Sequence, residues 1–148
     1  MSNRSEILTI VKARIDGIRI ADGFATDAGA TVFMGEAVSL GPDDPDTAVA
    51  IIIGDDEPHW QGEQLMIRLP LHLAALAKGT LDEHWSTIEA MLGDIKQAME
   101  VADRRMGRRL TSPLTRGSTR TMARETGSTT VGVSVTYIID YREVWGAP

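Results

Sequence analysis

The chain has no cysteine among its 148 residues, which excludes a disulfide framework, a thiolate zinc site and a cysteine nucleophile. Any metal would have to be held by His or carboxylate ligands. No apolar run approaches the roughly 18 residues of a membrane span, so no membrane partner is expected. The polar start, MSNRSEI, lacks the basic-then-apolar order of a signal peptide, and cytoplasmic synthesis is expected. Aromatic residues make up only 5%, and none interleaves with the arginines between 104 and 124, as a single-strand reader would require. HExxH, GxSxG, the P-loop and GxGxxG are all missing, and no serine stands in a nucleophile-and-base setting. No catalytic residue, cofactor or metal can be assigned, and the expectation is a non-enzyme.

What is present starts with 43% apolar residues, enough for the core of one ordinary domain spanning residues 1–148. The net charge of −6 hides an asymmetry. The first hundred residues carry 7 basic and 17 acidic side chains, the remaining forty-eight carry 8 and 4, and the two parts are therefore −10 and +4. Flanks of opposite sign favour head-to-tail self-association, the geometry that closes rings or grows filaments. Solvated faces that merely differ in sign are the plainer alternative.

The strongest local pattern is STTVGVSVTYIIDYREVW, from 128 to 145. Val131, Val133, Val135, Tyr137, Ile139 and Tyr141 share one parity, which predicts a long strand with one buried and one solvated face. A second alternating run places Leu65, Ile67, Leu69, Leu71 and Leu73 on one parity, with Pro70 predicting an edge strand or a strand end. Residues 31–34 and 48–54 predict shorter strands. Ile7, Leu8, Val11, Ile15 and Ile18 predict an amphipathic helix capped by Ser2 or Ser5 and fraying at Gly17. Thr80 and Glu83 have the capping-box spacing ahead of Trp85, Ile88, Leu92, Ile95, Met99 and Ala102. That stripe predicts a helix from 80 to about 105, with Gly107 as its C-terminal cap. Residues 110–117 read as a loop, and 118–124 as the basic first arm of a terminal hairpin. The fold class expected is α+β: an antiparallel or mixed sheet with a long C-terminal hairpin, packed by two helices on one face.

Two charged clusters and three tryptophans are the candidates for function. Asp55, Asp56, Glu57 and His59 are the densest ligand-like group, but consecutive carboxylates on a turn diverge, and an acidic surface loop is the better reading. Arg104, Arg105, Arg108, Arg109, Arg116, Arg120 and Arg124 form a basic tract suited to phosphates or carboxylates. The acidic pI of about 5.0 and the lack of a reader motif argue against a nucleic-acid module. Trp60, Trp85 and Trp145 read as core or interface anchors, with Trp145 the one placed to meet a partner.

The order of elements, carried by GFATDAGATVFMGEA (23–37), AVAIIIGDDE, GEQLMIRLPLHLAA, MLGDIKQAME (91–100) and TTVGVSVTYIIDYR, resembles the tail terminator and minor tail protein family of long-tailed bacteriophages and related prophage or gene-transfer particles. The resemblance implies a ring, commonly a hexamer, that stops tube polymerisation at the head-proximal end of the tail. It implies a virion location, contacts with the tail tube protein and the head connector, and a lumen through which DNA passes without specific binding. It brings no catalytic residues. The subunit interface expected from the charges joins Asp43, Asp44, Asp46, Asp55, Asp56 and Glu57 of one copy to the arginine tract of the next, with Trp145 at a partner contact. The rival expectations are another neck or tail-tube component, a nucleic-acid-binding protein using the arginine tract, and a metal-dependent hydrolase at Asp55, Asp56 and His59.

Overall fold

The computed structural model describes residues 2–35, 39–122 and 127–147. In chain order the elements are α1 (Asn3–Asp16), β1 (Val32–Gly35), β2 (Thr47–Ile53), β3 (Glu57–Gln61), β4 (Gln64–Lys78), α2 (Leu81–Glu100), β5 (Thr115–Thr121) and β6 (Thr130–Glu143). The two alternating runs form β4 and β6. These pair antiparallel along nearly their whole length, from Leu65 against Glu143 to Lys78 against Thr130. At about 3.4 Å per residue this central ribbon approaches 50 Å. The sheet order is β1-β2-β4-β6-β5, mixed because β1 runs parallel to β2 while the other pairs are antiparallel. The α+β class with a long terminal hairpin is as expected.

Both helices lie on one face. Ile7, Val11 and Ile15 of α1, and Ile88, Met91, Leu92, Ile95 and Met99 of α2, close over Leu69, Leu71, Leu73, Val135, Tyr137 and Ile139 in the main core. Ser2 caps α1 by accepting from Ser5 N at 3.1 Å, and Gly17 ends it. Thr80 caps α2: its Oγ1 accepts from Glu83 N at 3.3 Å and donates to Glu83 Oε1 at 3.0 Å. Both caps satisfy backbone donors that the first helical turn leaves open.

Four expectations need correction. Pro70 sits in the middle of the central strand, opposite Ile138. It is tolerated because its backbone polar edge faces the break between β2 and β3, where its carbonyl accepts from Gly54 N at 2.9 Å and a missing N–H leaves no ladder partner stranded. The second helix ends at Glu100 with Val101 as its cap, so Ala102 lies outside it and Gly107 does not terminate it. Near this end Arg14 of α1 donates to Met99 O of the last turn at 3.5 Å and to Asp103 O beyond the helix at 2.6 Å. The hairpin's first arm begins at Thr115, inside the expected loop, and a register shift between Arg116 and Thr119 bends it. Finally, the outer sheet face is not wholly solvated: Leu40, Ala48, Ala50, Ala74 and Leu76 form a second small core there, with Phe33, Ile52 and Met122 packed against it.

Candidate functional site: two charged sheet edges and an arginine groove

Strand β2 divides the acidic stretch of the sequence. Asp43, Asp44 and Asp46 precede it, beside the end of β4 where Lys78 bonds the carbonyls of Pro42 and Asp44 and donates its backbone N–H to Asp46 O at 2.9 Å. Asp44 also turns inward, its carboxylate accepting from Gly41 N at 2.7 Å. Asp55, Asp56 and Glu57 follow β2 at its other end and lead into β3, which pairs with the half of β4 that β2 leaves uncovered. All five residues of β3 are exposed. Among the described residues no three His, Asp or Glu side chains are grouped as a metal ion would need, and Asp56 is engaged by Arg4 at 2.8 Å.

The arginines lie across the sheet, two strands away. All seven residues of β5 are exposed, and β5 closes the sheet on the side opposite β1 and β2. Its Arg116 reaches Glu100 at 3.5 Å, while Arg120 has no acceptor among the described residues. Arg104 donates to Leu114 O at 3.2 Å and serves the connecting loop. Arg109 is held by Glu6 at 3.1 Å and by Met106 O at 3.2 Å. Arg124 lies outside the described residues. The acidic segments thus lie at the ends of β2 and the exposed arginines of β5 across the sheet from them, and part of each group is consumed in local pairs. The first turn of α1 spans both sides, with Arg4 on Asp56 and Glu6 on Arg109.

A groove of about 650 Å³ opens where Arg105, Arg108 and Arg109 meet Asn3, Leu110, Thr111 and Arg142. Arg142 stands far from the tract in sequence; β6 brings it back because Leu110 bridges to Tyr141 and Asn3 donates to Arg142 O at 3.2 Å. Only the pairing of residues 110 and 141 could have revealed it. The turn that carries Arg105 and Arg108 is built on Asp103, whose carboxylate accepts from Arg105 N at 3.0 Å and Gly107 N at 2.8 Å. Met106, 2% exposed, anchors it in the core. These backbone donors hold the Asp103 carboxyl below the ordinary carboxylate range. Because the folded value is depressed, the contribution is complete above the unfolded value near ~4 and is lost as pH falls through the folded one. A carboxyl-detected NMR titration should therefore place Asp103 below an unfolded aspartate. An ordinary value would mean these bonds do not hold the turn.

The tryptophans are at the surface rather than in the core. Trp85 is 59% exposed, Trp60 56% and Trp145 77%. Trp60 of β3 and Trp145 beyond β6 meet with ring centroids 5.8 Å apart and planes tilted by 43°, a separation within the range of interacting aromatic pairs. With Val144, 63% exposed, they form an apolar patch at the end of the ribbon.

Neither a protein-family model nor a curated protein matches the chain. Among solved structures it is similar to a chain of one described as "Virion of native gene transfer agent (GTA) particle", with a TM-score of 0.60 over 89% of this chain and 94% of that chain. The sequence identity is 15%, so the likeness is one of fold, and it extends over nearly the full length of both chains.

Proposed function

We propose that the protein is a non-enzymatic structural component of a phage-type particle, and specifically a tail terminator that assembles with its own copies into a ring, commonly a hexamer, at the head-proximal end of the tail tube. The observation that carries this reading is the end-to-end fold likeness to a chain of a gene transfer agent virion. The order of elements that resembles the tail terminator family points the same way. Two further features support self-assembly. The exposed edge strand β5 carries Arg116 and Arg120, while on the far side of the sheet the loops at the two ends of β2 carry Asp43, Asp46 and Asp55, with Glu57 opening β3. An unpaired strand edge is a template for another chain. Arginines on it discourage pairing with a like edge and admit an acidic one.

In this reading the ring closes head to tail, β5 of one copy against the acidic edge of the next, because a heterologous contact of that kind forms a ring when its rotation closes. The Trp60–Trp145 patch is left for the tail tube protein or the head connector, since tryptophans in an exposed apolar patch are common interface anchors. DNA passes through the lumen. The same fold features would serve another neck or tube component, and the position of the ring on the particle separates the two.

Electron microscopy and native mass spectrometry of the purified protein test the assembly, alone and with the tube protein added. Rings with a DNA-sized hole are expected. Arg116→Glu with Arg120→Glu should weaken subunit association by about tenfold, since exposed pairs contribute about 0.2–1 kcal/mol each and reversal adds repulsion. A monomer under every condition would overturn the ring. Unchanged oligomers in the double variant would move the contact away from β5.

A further inference from the structure

We propose that the groove lined by Arg105, Arg108 and Arg142 is a binding site for a phosphate group, independent of the ring contact. Four arginines line this one concavity together with Asn3 and Thr111. Arg109 is occupied by Glu6 and Met106 O. Arg105, Arg108 and Arg142 are exposed and have no acceptor among the described residues. Asp103 offsets part of the Arg105 charge and Glu6 that of Arg109, but four arginines in one groove still repel, and an anion between them relieves the repulsion. Each guanidinium offers five N–H donors in a planar fork that matches tetrahedral and carboxylate oxyanions alike.

The turn presenting two of these arginines is itself unusual. Met106, Gly107 and Arg108 have φ values of 49°, 66° and 70° in succession, left-handed backbone that only the glycine adopts freely. It persists because the surroundings over-determine it: Met106 is buried and the Asp103 carboxylate ties down the amides of Arg105 and Gly107. Strain maintained in this way gathers at ligand clamps. Here it fixes the backbone from which Arg105 and Arg108 reach the groove.

Phosphate fits this donor set better than a carboxylate does. One guanidinium fork satisfies a carboxylate, whereas a phosphate presents more oxygens and can be shared by three. With a net charge of −6, the chain is not suited to tracking a long stretch of duplex, so the site takes one local phosphate. That phosphate is either a free ion or a phosphodiester of a nucleic-acid strand.

The test follows the arginine Nε–H signals by NMR in the full chain as inorganic phosphate, a ten-nucleotide oligothymidylate or a short DNA duplex is added. The signals of Arg105, Arg108 and Arg142 should shift. Binding should weaken at least tenfold in Arg105→Gln with Arg108→Gln, and likewise in Arg142→Gln, while Lys96→Gln, which removes a cation of α2 outside the groove, binds as the parent does. None of the three guanidinium groups makes a hydrogen bond or ion pair among the described residues, and unchanged amide spectra would verify that the variants fold. If the source is a phosphodiester, the oligonucleotides bind and the slope of log affinity against log salt falls by about one in the double variant, as the loss of one phosphate contact requires. If it is a free ion, inorganic phosphate alone binds. No shift at the three arginines with any probe, or equal weakening by Lys96→Gln, would overturn the proposal.

Discussion

Tyr137→Ala is expected to lower stability by about 4 kcal/mol, at the upper end for a buried large-to-small change, and to lower Tm by roughly 12 °C in a domain of this size. Tyr137 is fully buried in the middle of β6, beneath α2 and opposite Leu71 of β4. Its ring lies in the main core, so truncation leaves a cavity bounded by two strands and a helix that cannot all collapse. Its hydroxyl donates to Glu100 Oε2 at 2.7 Å, and the same oxygen receives Arg116 of β5. Tyr137→Phe keeps the ring and removes only that bond, with Arg116 still available to Glu100. Its cost should be about 1 kcal/mol. Urea denaturation of both variants separates the terms: a Phe variant as unstable as the Ala variant would place the energy in the hydrogen bond and not in packing.

The same environment sets an alkaline limit. Burial, and then the bond to Glu100, raise the Tyr137 phenol above its ordinary value. A raised folded value means that the contribution is complete below the unfolded value near ~10 and is lost as pH rises beyond it. Glu100 matters to assembly as well as to stability, because it joins the end of α2 to β5, the strand proposed to meet the next copy.

What the sequence displayed best was what short-range chemistry determines. The parities of β4 and β6, the caps at Ser2 and Thr80, and the apolar steps of the two helices each need only local periodicity. What it concealed depended on pairing at a distance. The stretch EPHWQ has no alternation of burial, since all five residues of β3 are exposed. It becomes a strand only because β4 outruns β2 and offers an empty edge, reached through a tight turn at Gly62 with φ of 64°. The end of α2 was misplaced for a similar reason. Ala102 continues the apolar period, but Arg14 from another helix takes the carbonyls of Met99 and Asp103, and the Asp103 carboxylate ties the backbone into the turn of 106–108. The charged tract was visible as composition; its division into engaged and unpartnered arginines was not. That division depends on Glu6 and Glu100, and on Arg142 returning along β6. Trp60 and Trp145 are 85 residues apart in sequence numbering and meet only because β3 and β6 flank the same end of β4.

The second large effect is expected at Asp94, the one carboxylate buried on the apolar side of α2, at 3% exposure. It accepts from Ala25 N at 3.0 Å, from Thr26 N at 2.7 Å and from Thr26 Oγ1 at 2.6 Å. Hydrogen bonds to a charged group contribute about 1.5–3 kcal/mol, and an orphaned buried donor costs about 1–3 kcal/mol. Asp94→Ala should therefore destabilise by about 3 kcal/mol, close to 9 °C in Tm. Asp94→Asn is no remedy: its single oxygen replaces two acceptors, and its amide brings donors towards donors, so about 2 kcal/mol should still be lost. Thr26→Val removes the hydroxyl, which also accepts from Ala28 N at 3.3 Å, and should cost about 1–2 kcal/mol. The link reaches beyond stability, because Asp94 lies in MLGDIKQAME and its partners lie in GFATDAGATVFMGEA, two of the stretches on which the resemblance to tail terminators rests. Releasing that clamp should raise hydrogen exchange at Ala25 and Thr26 while leaving the β4–β6 ribbon protected. If the ribbon loosens to the same degree, α2 and the sheet unfold as one unit and the clamp is not a local device.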